Sequence, residues 1–487
     1  MSLINVSNLT FAYEGSSENI FEDVSFQIDT NWKLGFTGRN GRGKTTFLNL
    51  LMGKYEYKGS ISASVEFEYF PFEVNEDSRN AIEIAEDICG DYVQWQIERE
   101  LSMLEADCDI LYRPFNTLSK GEQTKVMLAA LFVKENSFLL IDEPTNHLDM
   151  RGREVLGNYL NKKKGFILVS HDRSLLDSCV DHVLSVNREN IEIQRGNFSS
   201  WLVNKERQDS FELAENKKLA GELKRLKRAS KETASWSDKV EKTKFGTKAD
   251  RGYIGHKAAK MMKRSKAIEG RQKAAMEEKS KLLKNMESDE NLKISPLVYH
   301  SERLLTLENV SVRYGDNIVC RNVSFTLERG DRAAVVGRNG SGKSSILKLI
   351  CGENIEYEGN FSKGSGIVIS FVPQDTSFLK GNLSEYAKNS NIDESLFKAI
   401  LRKLDFSREQ FDKNIENFSG GQKKKVLIAK SLCEKAHIYI WDEPLNFIDV
   451  ISRMQIERLI RDFEPTMLFV EHDRAFCENV GNKRIVL

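Results

Sequence analysis

Two glycine-rich segments of this 487-residue chain have the residue types and spacing of a phosphate-binding loop. The pattern G-x-x-x-x-G-K-[ST] occurs at Gly38–Thr45 and again at Gly337–Ser344. Glycines let backbone N–H groups converge on a phosphate, the lysine neutralises its charge, and the last hydroxyl is available to Mg²⁺. Because each segment is predicted to join a strand to a helix, the pair indicates two nucleotide sites. The predicted nucleotide ligands are Gly38, Arg39, Asn40, Gly41, Arg42, Gly43, Lys44, Thr45 and Thr46, and then Gly337, Arg338, Asn339, Gly340, Ser341, Gly342, Lys343, Ser344 and Ser345.

Acidic pairs follow two apolar runs of strand length. Asp142 and Asp442 end these runs, and Glu143 and Glu443 come next, each before a proline. An aspartate at the end of a buried strand can reach Mg²⁺ directly or through water. A glutamate beside the metal can orient and deprotonate an attacking water molecule, which is the role of a general base. The sequence also allows each glutamate to be a structural ion-pair partner.

Two histidines and two tyrosines recur at matching positions. His171 and His472 follow the next apolar run in each half, where an imidazole can donate to a terminal phosphate. Tyr13 and Tyr314 precede the glycine-rich loops by 25 and 23 residues, and a planar ring there can stack on a nucleotide base. The alternatives are a structural histidine and an ordinary strand aromatic.

Short Ser/Gly segments precede two strongly helical patterns. Since the N-terminus of a helix attracts anions, these segments can contact a phosphate, and simple capping of the helix is the alternative. The residues concerned are Ser119, Gly121, Ser419, Gly420 and Gly421.

The motifs reveal a tandem duplication. GRNGRGKT at 38–45 recurs as GRNGSGKS 299 residues later, and the segments LSKGEQ, FLLIDEP and SHDR recur in related form, in the same order, at offsets of 300 or 301 residues. Strand-length apolar runs alternate with helical patterns in each copy, which predicts an α/β fold with a mostly parallel sheet. The predicted domains are 1–200 and 301–487, with a segment of different character, 201–300, between them.

The segment 201–300 is predicted to be a helical hairpin. Apolar or small residues recur every seven positions over 219–240 and again over 261–282, and three glycines fall within 245–255. Two helices joined by a turn near 243–256 are the simplest interpretation. The tip would carry Lys242, Lys244, Phe245, Lys248, Arg251 and Tyr253, although its aromatic residues could simply cap the turn.

Charge is distributed unevenly along the chain. There are 72 Lys and Arg against 72 Asp and Glu, a formal net charge of zero. Residues 217–284 hold 22 of the basic and 8 of the acidic residues, a net charge of +14, which leaves −14 for the remainder. A basic rod is typical of a nucleic-acid contact, because it neutralises phosphates and releases counterions. A solvated coiled coil is the alternative, but it usually mixes both signs.

Composition argues against several other classes of protein. Seven scattered cysteines without a C-x-x-C pattern exclude a disulfide framework and a zinc or iron–sulfur site of standard spacing, and they fit a reducing cytosol. The N-terminal segment lacks the pattern of a signal peptide, and no apolar run reaches 18 residues. We therefore expect a cytoplasmic protein with no membrane span and no DNA partner.

Four motifs, taken in order, resemble those of the ATP-binding cassette (ABC) fold. They are the glycine-rich loop, LSKGEQ or FSGGQ, the apolar run ending in D-E-P, and H-D-R. Two cassettes joined by a long charged helical linker resemble the ABC-F class. The resemblance implies ATP and Mg²⁺ as cofactors, and a monomer whose cassettes enclose two ATP molecules head to tail.

The implied first site combines Gly38–Thr45, Asp142, Glu143 and His171 with Ser419 and Gly421. The implied second site combines Gly337–Ser344, Gln374, Asp442, Glu443 and His472 with Ser119 and Gly121. The residues assigned to Mg²⁺ are Thr45, Asp142, Ser344, Gln374 and Asp442.

The same resemblance implies action on the bacterial 70S ribosome. ABC-F proteins bind near the tRNA exit site with ATP bound, and their linker reaches toward 23S rRNA at the peptidyl-transferase centre and toward P-site tRNA. The short spacing from loop to Ser/Gly segment is 81 and 82 residues. This spacing and the tip sequence resemble antibiotic-resistance members of the Lsa and Vga type, or of the clostridial pleuromutilin–lincosamide resistance branch. Those members eject lincosamides, pleuromutilins and streptogramin A. The alternatives are a housekeeping translation factor and the ATPase subunit of a membrane transporter.

Two positions depart from the family pattern. Phe72 stands where Gln374 would coordinate Mg²⁺ in the second copy, and LNFID at 445–449 replaces TNHLD at 145–149. Both glutamates remain in place. We therefore expect hydrolysis at both sites, at unequal rates.

Overall fold

The computed structural model describes residues 2–15, 19–72, 74, 76–90, 94–134, 136–186, 191–242, 256, 260, 262–264, 266–268, 270–271, 273–274, 276 and 292–487. The chain divides into two compact units. The first comprises Met1–Asn187, Ile191–Ser199 and Ser288–Leu487, and the second comprises Arg188–Asn190 and Ser200–Glu287. Both copies of the repeat therefore belong to the first unit.

The first repeat contains an antiparallel sheet and a larger, mostly parallel sheet. The antiparallel sheet has the order β2-β1-β4, and the larger sheet has the order β5-β6-β7-β3-β8-β9, in which only β9 runs antiparallel to its neighbour. The strands are β1 Leu3–Phe11, β2 Phe21–Asp29, β3 Lys33–Thr37, β4 Lys58–Ser62, β5 Glu66–Phe70, β6 Ser137–Asp142, β7 Phe166–Val169, β8 His182–Val186 and β9 Ile191–Arg195. The helices are α1 Lys44–Leu51, α2 Ala81–Cys89, α3 Gln94–Met103, α4 Lys120–Val133, α5 Met150–Asn161 and α6 Arg173–Cys179, with 3₁₀ turns at Cys108–Tyr112 and Phe115–Thr117.

A long helix, α7 Phe198–Lys242, leads into the second unit. Its 45 residues at about 1.5 Å each give a length of about 68 Å. Lys242 is its last residue, whereas the other predicted tip residues, Lys244, Phe245, Lys248, Arg251 and Tyr253, lie outside the described residues. The hairpin as a whole stays a prediction. In the described part of the chain, no helix combines the length and the apolar character needed to cross a membrane.

The second repeat has the same architecture. Its antiparallel sheet has the order β11-β10-β13, and its parallel sheet has the order β14-β15-β16-β12-β17. The strands are β10 Arg303–Tyr314, β11 Asn317–Glu328, β12 Arg332–Val336, β13 Glu356–Lys363, β14 Ile369–Val372, β15 Ile438–Asp442, β16 Met467–Val470 and β17 Lys483–Val486. The helices are α8 Lys343–Cys351, α9 Leu383–Asn389, α10 Glu394–Lys403, α11 Arg408–Phe411, α12 Gly420–Cys433, α13 Val450–Phe463 and α14 Arg474–Val480, with a 3₁₀ turn at Ile415–Asn417.

The apolar runs form the central strands because both faces of these strands are covered. In β6, Phe138, Leu139, Leu140 and Ile141 are all buried. One face of the parallel sheet packs on α1 and the antiparallel sheet in a single apolar core, as buried parallel strands require. The predicted α/β fold with two copies is confirmed. The acidic pairs lie where these strands end, and the core fixes their positions.

Candidate nucleotide sites between the two repeats

Each glycine-rich loop wraps around its own lysine. Lys44 Nζ donates to the carbonyl oxygens of Gly38 at 2.8 Å and Arg39 at 3.1 Å. Lys343 Nζ donates to those of Gly337 at 3.0 Å and Arg338 at 2.9 Å. Burial lowers the pKa of both lysines, because a desolvated ammonium lacks the stabilisation that water gives. The ammonium groups are thus centred in loops that could receive a phosphate.

Gly43 shows why the loop needs glycine. Its φ is +87°, in the left-handed region, and a Cβ at this position would overlap the side chain of Ile20. The same residue precedes the first turn of α1, so its backbone conformation sets the direction in which the helix N-terminus points.

The carboxylate groups of Asp142 and Asp442 suit a metal ion. Thr45 Oγ1 donates to Asp142 Oδ2 at 3.0 Å. In the second repeat, Asp442 Oδ1 is buried and has no hydrogen-bond partner within the described part of the chain. Burial also raises the pKa of both carboxyls. A buried carboxylate oxygen beside a hydroxyl fits Mg²⁺, whose charge would compensate for the lost hydration.

The glutamates that follow are held in an uncommon backbone conformation. Glu143 has φ of +50° and Glu443 has φ of +47°. Their backbone N–H groups donate to Val169 O at 2.9 Å and Val470 O at 3.0 Å, which anchors each residue to the neighbouring strand. Non-glycine residues in this region carry strain and are frequent at functional sites.

Each glutamate faces the predicted histidine of its own repeat. The distance from His171 Nε2 to Glu143 Oε1 is 3.5 Å, and that from His472 Nε2 to Glu443 Oε1 is 3.3 Å. The structure therefore brings both predicted glutamate–histidine pairs together at the ends of the parallel strands.

The electrostatic environments of the two glutamates differ. Burial, reinforced by the neighbouring Asp142, raises the pKa of Glu143 to about 8. Burial acts in the same direction on Glu443, but hydrogen bonds from His472, Gln374 and Asn446 outweigh it and lower the pKa of Glu443 to about 2. Gln374 Nε2 donates to Glu443 Oε2 at 2.7 Å, and Phe72, the corresponding residue in the first repeat, is 37% exposed. Burial therefore disfavours ionisation of Glu143, whereas hydrogen bonds favour ionisation of Glu443.

The second predicted site is one cavity shared by both repeats. Its volume is about 970 Å³. The second repeat contributes Arg338, Asn339, Gly340, Gly342, Lys343, Ser344, Ser345, Gln374, Glu443 and His472 to its lining, and the first repeat contributes Ser119 and Gly121. Most of the residues predicted for this site thus line one cavity across the repeat boundary, whereas Gly337, Ser341 and Asp442 are not among its lining residues.

The first predicted site is closed by direct contacts between the repeats. Asn40 Nδ2 donates to Phe447 O at 2.7 Å, and the reciprocal bond from Asn339 Nδ2 to His147 O is 3.1 Å long. A Cβ on Gly421 would lie 3.2 Å from Asn40 Nδ2, so the second Ser/Gly segment abuts the first glycine-rich loop.

Alanine at Gly421 should therefore disrupt the first site, and alanine at Gly121 should be tolerated. The added Cβ at Gly421 would overlap the Phe447 carbonyl, whereas at Gly121 the nearest atom, in Leu148, is 3.4 Å away. We expect Gly421→Ala to weaken nucleotide binding to a full-length variant restricted to the first site, measured by fluorescence titration of an ATP analogue. Gly121→Ala, measured at the second site, is the matched control. Equal losses in the two variants would contradict this.

The Ser/Gly segments also cap helices. Ser119 Oγ accepts from Glu122 N at 3.3 Å, and Ser419 Oγ accepts from Gln422 N at the same distance. The side chains of Glu122 and Gln422 bond back to the serine N–H groups, so both are capping boxes. The alternative of capping is therefore realised, and a phosphate contact by these serines stays a prediction.

The two tyrosines lie beside the helices that follow the loops. Tyr13 OH is 2.8 Å from Thr46 Oγ1, and Tyr314 OH donates to Ser345 Oγ at 3.3 Å. Both rings remain exposed. An exposed ring anchored next to the loop is available for stacking on a base.

A buried ion pair between the repeats was not predicted from the sequence. Arg173, from the SHDR motif, makes a bidentate contact with Glu457, and one of its two hydrogen bonds is 3.2 Å long. At the equivalent positions, Gly157 takes the place of Glu457, and the Arg474 side chain is 61% exposed and bonds to Glu478 on its own helix. No sequence signal links two residues 284 positions apart, although the motif does mark Arg173.

The comparison with known families agrees with this geometry. The family model described as ABC transporter matches residues 21–146 and 320–446, slightly more than half of the chain and both repeats. The chain belongs to the ABC transporter family. Its repeats are two tandem ABC cassettes, as predicted, and the protein is an ATP-hydrolysing enzyme.

Several curated relatives match both ABC cassettes and the segment between them. The ATP-binding protein Uup of Buchnera aphidicola is 28% identical, over 99% of this chain and 80% of its own length. The ribosome protection protein VmlR of Bacillus subtilis is also 28% identical, over 100% of this chain and 86% of its own. ABC transporter F family member 2 of Arabidopsis thaliana is 25% identical, over 99% and 76%.

Solved structures share the arrangement of two ABC cassettes. The archaeal ribosome recycling factor aABCE1, in complex with the ribosomal stalk protein aP1, superposes with a TM-score of 0.66 at 19% identity. The match covers 98% of this chain and 87% of that one. At this identity the similarity supports the fold alone.

Proposed function

We propose that the chain is a ribosome-protection ATPase of the ABC-F class. In its ATP-bound form it engages the exit-site region of the bacterial 70S ribosome and displaces antibiotics from the peptidyl-transferase centre. The observation that carries this proposal is the match to VmlR, named a ribosome protection protein, which extends over 100% of this chain and therefore includes the linker.

The charge of the linker supports a partner made of RNA. Residues 217–284 carry a net charge of +14, and α7, which enters this segment, is about 68 Å long. Such a rod gains affinity for rRNA or tRNA by releasing counterions from phosphates. Contact with 23S rRNA and P-site tRNA through the tip, and a cytoplasmic location, are parts of the same proposal.

Binding of ATP at the two nucleotide sites would control the closing of the cassettes. Lys44 and Lys343 would neutralise phosphate charge, while residues of the opposite cassette close each site. Bound Mg²⁺, held by Thr45 and Asp142 or by Ser344, Gln374 and Asp442, would stabilise charge on the phosphates. Because each site needs residues from both cassettes, ATP favours the closed arrangement.

ATP hydrolysis at the two glutamates would open the cassettes. Glu143 and Glu443 would accept a proton from the attacking water, with His171 and His472 holding the carboxylate and the terminal phosphate in place. Loss of the γ-phosphate removes contacts that join the cassettes, so the protein opens and leaves the ribosome. Since burial raises the pKa of Glu143 and hydrogen bonds lower that of Glu443, we expect unequal rates at the two sites.

Deleting 243–256 tests this function. The deletion should abolish rescue of translation in a lincosamide- or pleuromutilin-inhibited extract, because the tip would no longer reach the drug site. Basal ATP hydrolysis should be retained, since the nucleotide sites belong to the cassettes. Both are measured on the purified full-length protein and on the deletion variant.

Two outcomes would contradict the proposal. Rescue of translation by the deletion variant would overturn the role of the tip. Failure of the intact protein to co-sediment with 70S ribosomes in a non-hydrolysable ATP analogue would overturn ribosome binding itself. Binding and stimulation of drug-free translation without rescue from the drug would favour the housekeeping role.

A further inference from the structure

The first ABC cassette has a polar contact at its metal-site aspartate that the second lacks. Tyr69, on β5, donates its hydroxyl to Asp142 Oδ2 at 3.0 Å. The same oxygen accepts from Thr45 Oγ1. Two hydroxyl donors therefore hold the same carboxylate oxygen of Asp142.

Phe371 replaces Tyr69 in the second cassette. Tyr69 pairs with Leu140 in the sheet, and Phe371 pairs with Ile440, which is the position equivalent to Leu140. Tyr69 and Phe371 therefore occupy equivalent positions in the strand register. A phenylalanine has no hydroxyl to donate, so Asp442 lacks this contact.

At the position three residues further on, the polar side chain is in the second cassette and not in the first. Gln374 is present in the second cassette, where its amide donates to Glu443, and Phe72 takes its place in the first. In each cassette, this strand and the loop after it therefore supply a polar side chain that contacts the acidic pair, but from different positions. The polar group contacts the aspartate in the first cassette and the glutamate in the second.

We propose that Tyr69 is a positioning residue of the first nucleotide site, whose hydroxyl fixes the orientation of the Asp142 carboxylate as a ligand for Mg²⁺ and thereby replaces the missing glutamine. The first site then depends on the hydroxyl for metal binding, and the second does not need one at Phe371.

The test compares Tyr69→Phe with the wild-type residue in full-length protein carrying Lys343→Ala, so that nucleotide binding reports on the first site. The Mg²⁺ concentration that gives half-maximal binding of a fluorescent ATP analogue is measured, together with binding in EDTA. Because a hydrogen bond to a charged group is lost, Tyr69→Phe should raise the required Mg²⁺ concentration about tenfold. Binding in EDTA should stay unchanged.

Two further variants make the result decisive. Phe72→Gln added to Tyr69→Phe should restore the Mg²⁺ requirement, because it rebuilds the polar group of the second cassette. Phe371→Tyr with Lys44→Ala, the matched control, should leave the Mg²⁺ requirement of the second site within about twofold. The proposal is overturned if Tyr69→Phe leaves the Mg²⁺ requirement unchanged, or if it weakens binding equally with Mg²⁺ and with EDTA, since the latter indicates a structural role.

Discussion

Replacing both Glu143 and Glu443 with glutamine should hold the protein on ribosomes in the presence of ATP. Glutamine keeps the shape and the hydrogen-bonding reach of glutamate but cannot accept a proton from the attacking water. Because a general base contributes about 10²- to 10⁴-fold, we expect ATP hydrolysis to fall by at least about 100-fold. Closure of the cassettes depends on binding and not on hydrolysis, so the closed form should accumulate.

The measurement is co-sedimentation with 70S ribosomes in ATP, beside phosphate release by the same preparation. The matched controls are the two single variants, which report each site separately. We expect them to differ, because hydrogen bonds lower the pKa of Glu443 to about 2, whereas burial raises that of Glu143 to about 8. A double variant that stays free of ribosomes under ATP would argue against a clamp driven by nucleotide.

Replacing Arg173 with methionine should destabilise the protein far more than the same change at Arg474. Arg173 is buried against Glu457, and Asp473 Oδ1 lies 3.8 Å away, so methionine would leave buried carboxylate charge without its partner. Removing one member of a buried pair costs about 3–5 kcal/mol. Arg474 is mostly exposed and bonds only along its own helix, so its loss should cost under about 0.5 kcal/mol.

Urea or thermal unfolding of the full-length variants provides the measurement. The double variant Arg173→Met, Glu457→Met should recover much of the loss, because two apolar side chains leave no unpaired charge behind. Equal destabilisation by Arg173→Met and Arg474→Met would show that the asymmetry between the two halves of the interface has no energetic effect.

The chain's local motifs predicted its local structure well. The first glycine-rich loop joins a strand, Lys33–Thr37, to a helix that begins at Lys44, as predicted, because an apolar run, glycines and a helical pattern follow one another in neighbouring residues. The aspartates at strand ends follow from the same logic. Both depend on backbone preferences and on burial of a contiguous apolar segment.

Contacts between distant segments could not be predicted in the same way. Tyr69 and Asp142 are 73 residues apart, and Arg173 and Glu457 are 284 apart, so their proximity depends on sheet order and on the packing of one ABC cassette against the other. The opposite pKa shifts of the two glutamates likewise arise from neighbours that the folded chain brings in. The sequence distinguished the two sites at Phe72 and Gln374, and the three-dimensional surroundings show how the environments of the two glutamates differ.

The left-handed backbone at Glu143 and Glu443 carries a trade-off between stability and activity. A non-glycine residue in that conformation costs of order 1–3 kcal/mol, and glycine would relieve much of it. Mutants selected only for thermal resistance would therefore tend to lose their acid side chains at these two positions. If both glutamates act as general bases, as proposed, their presence at these two positions lowers stability in exchange for turnover.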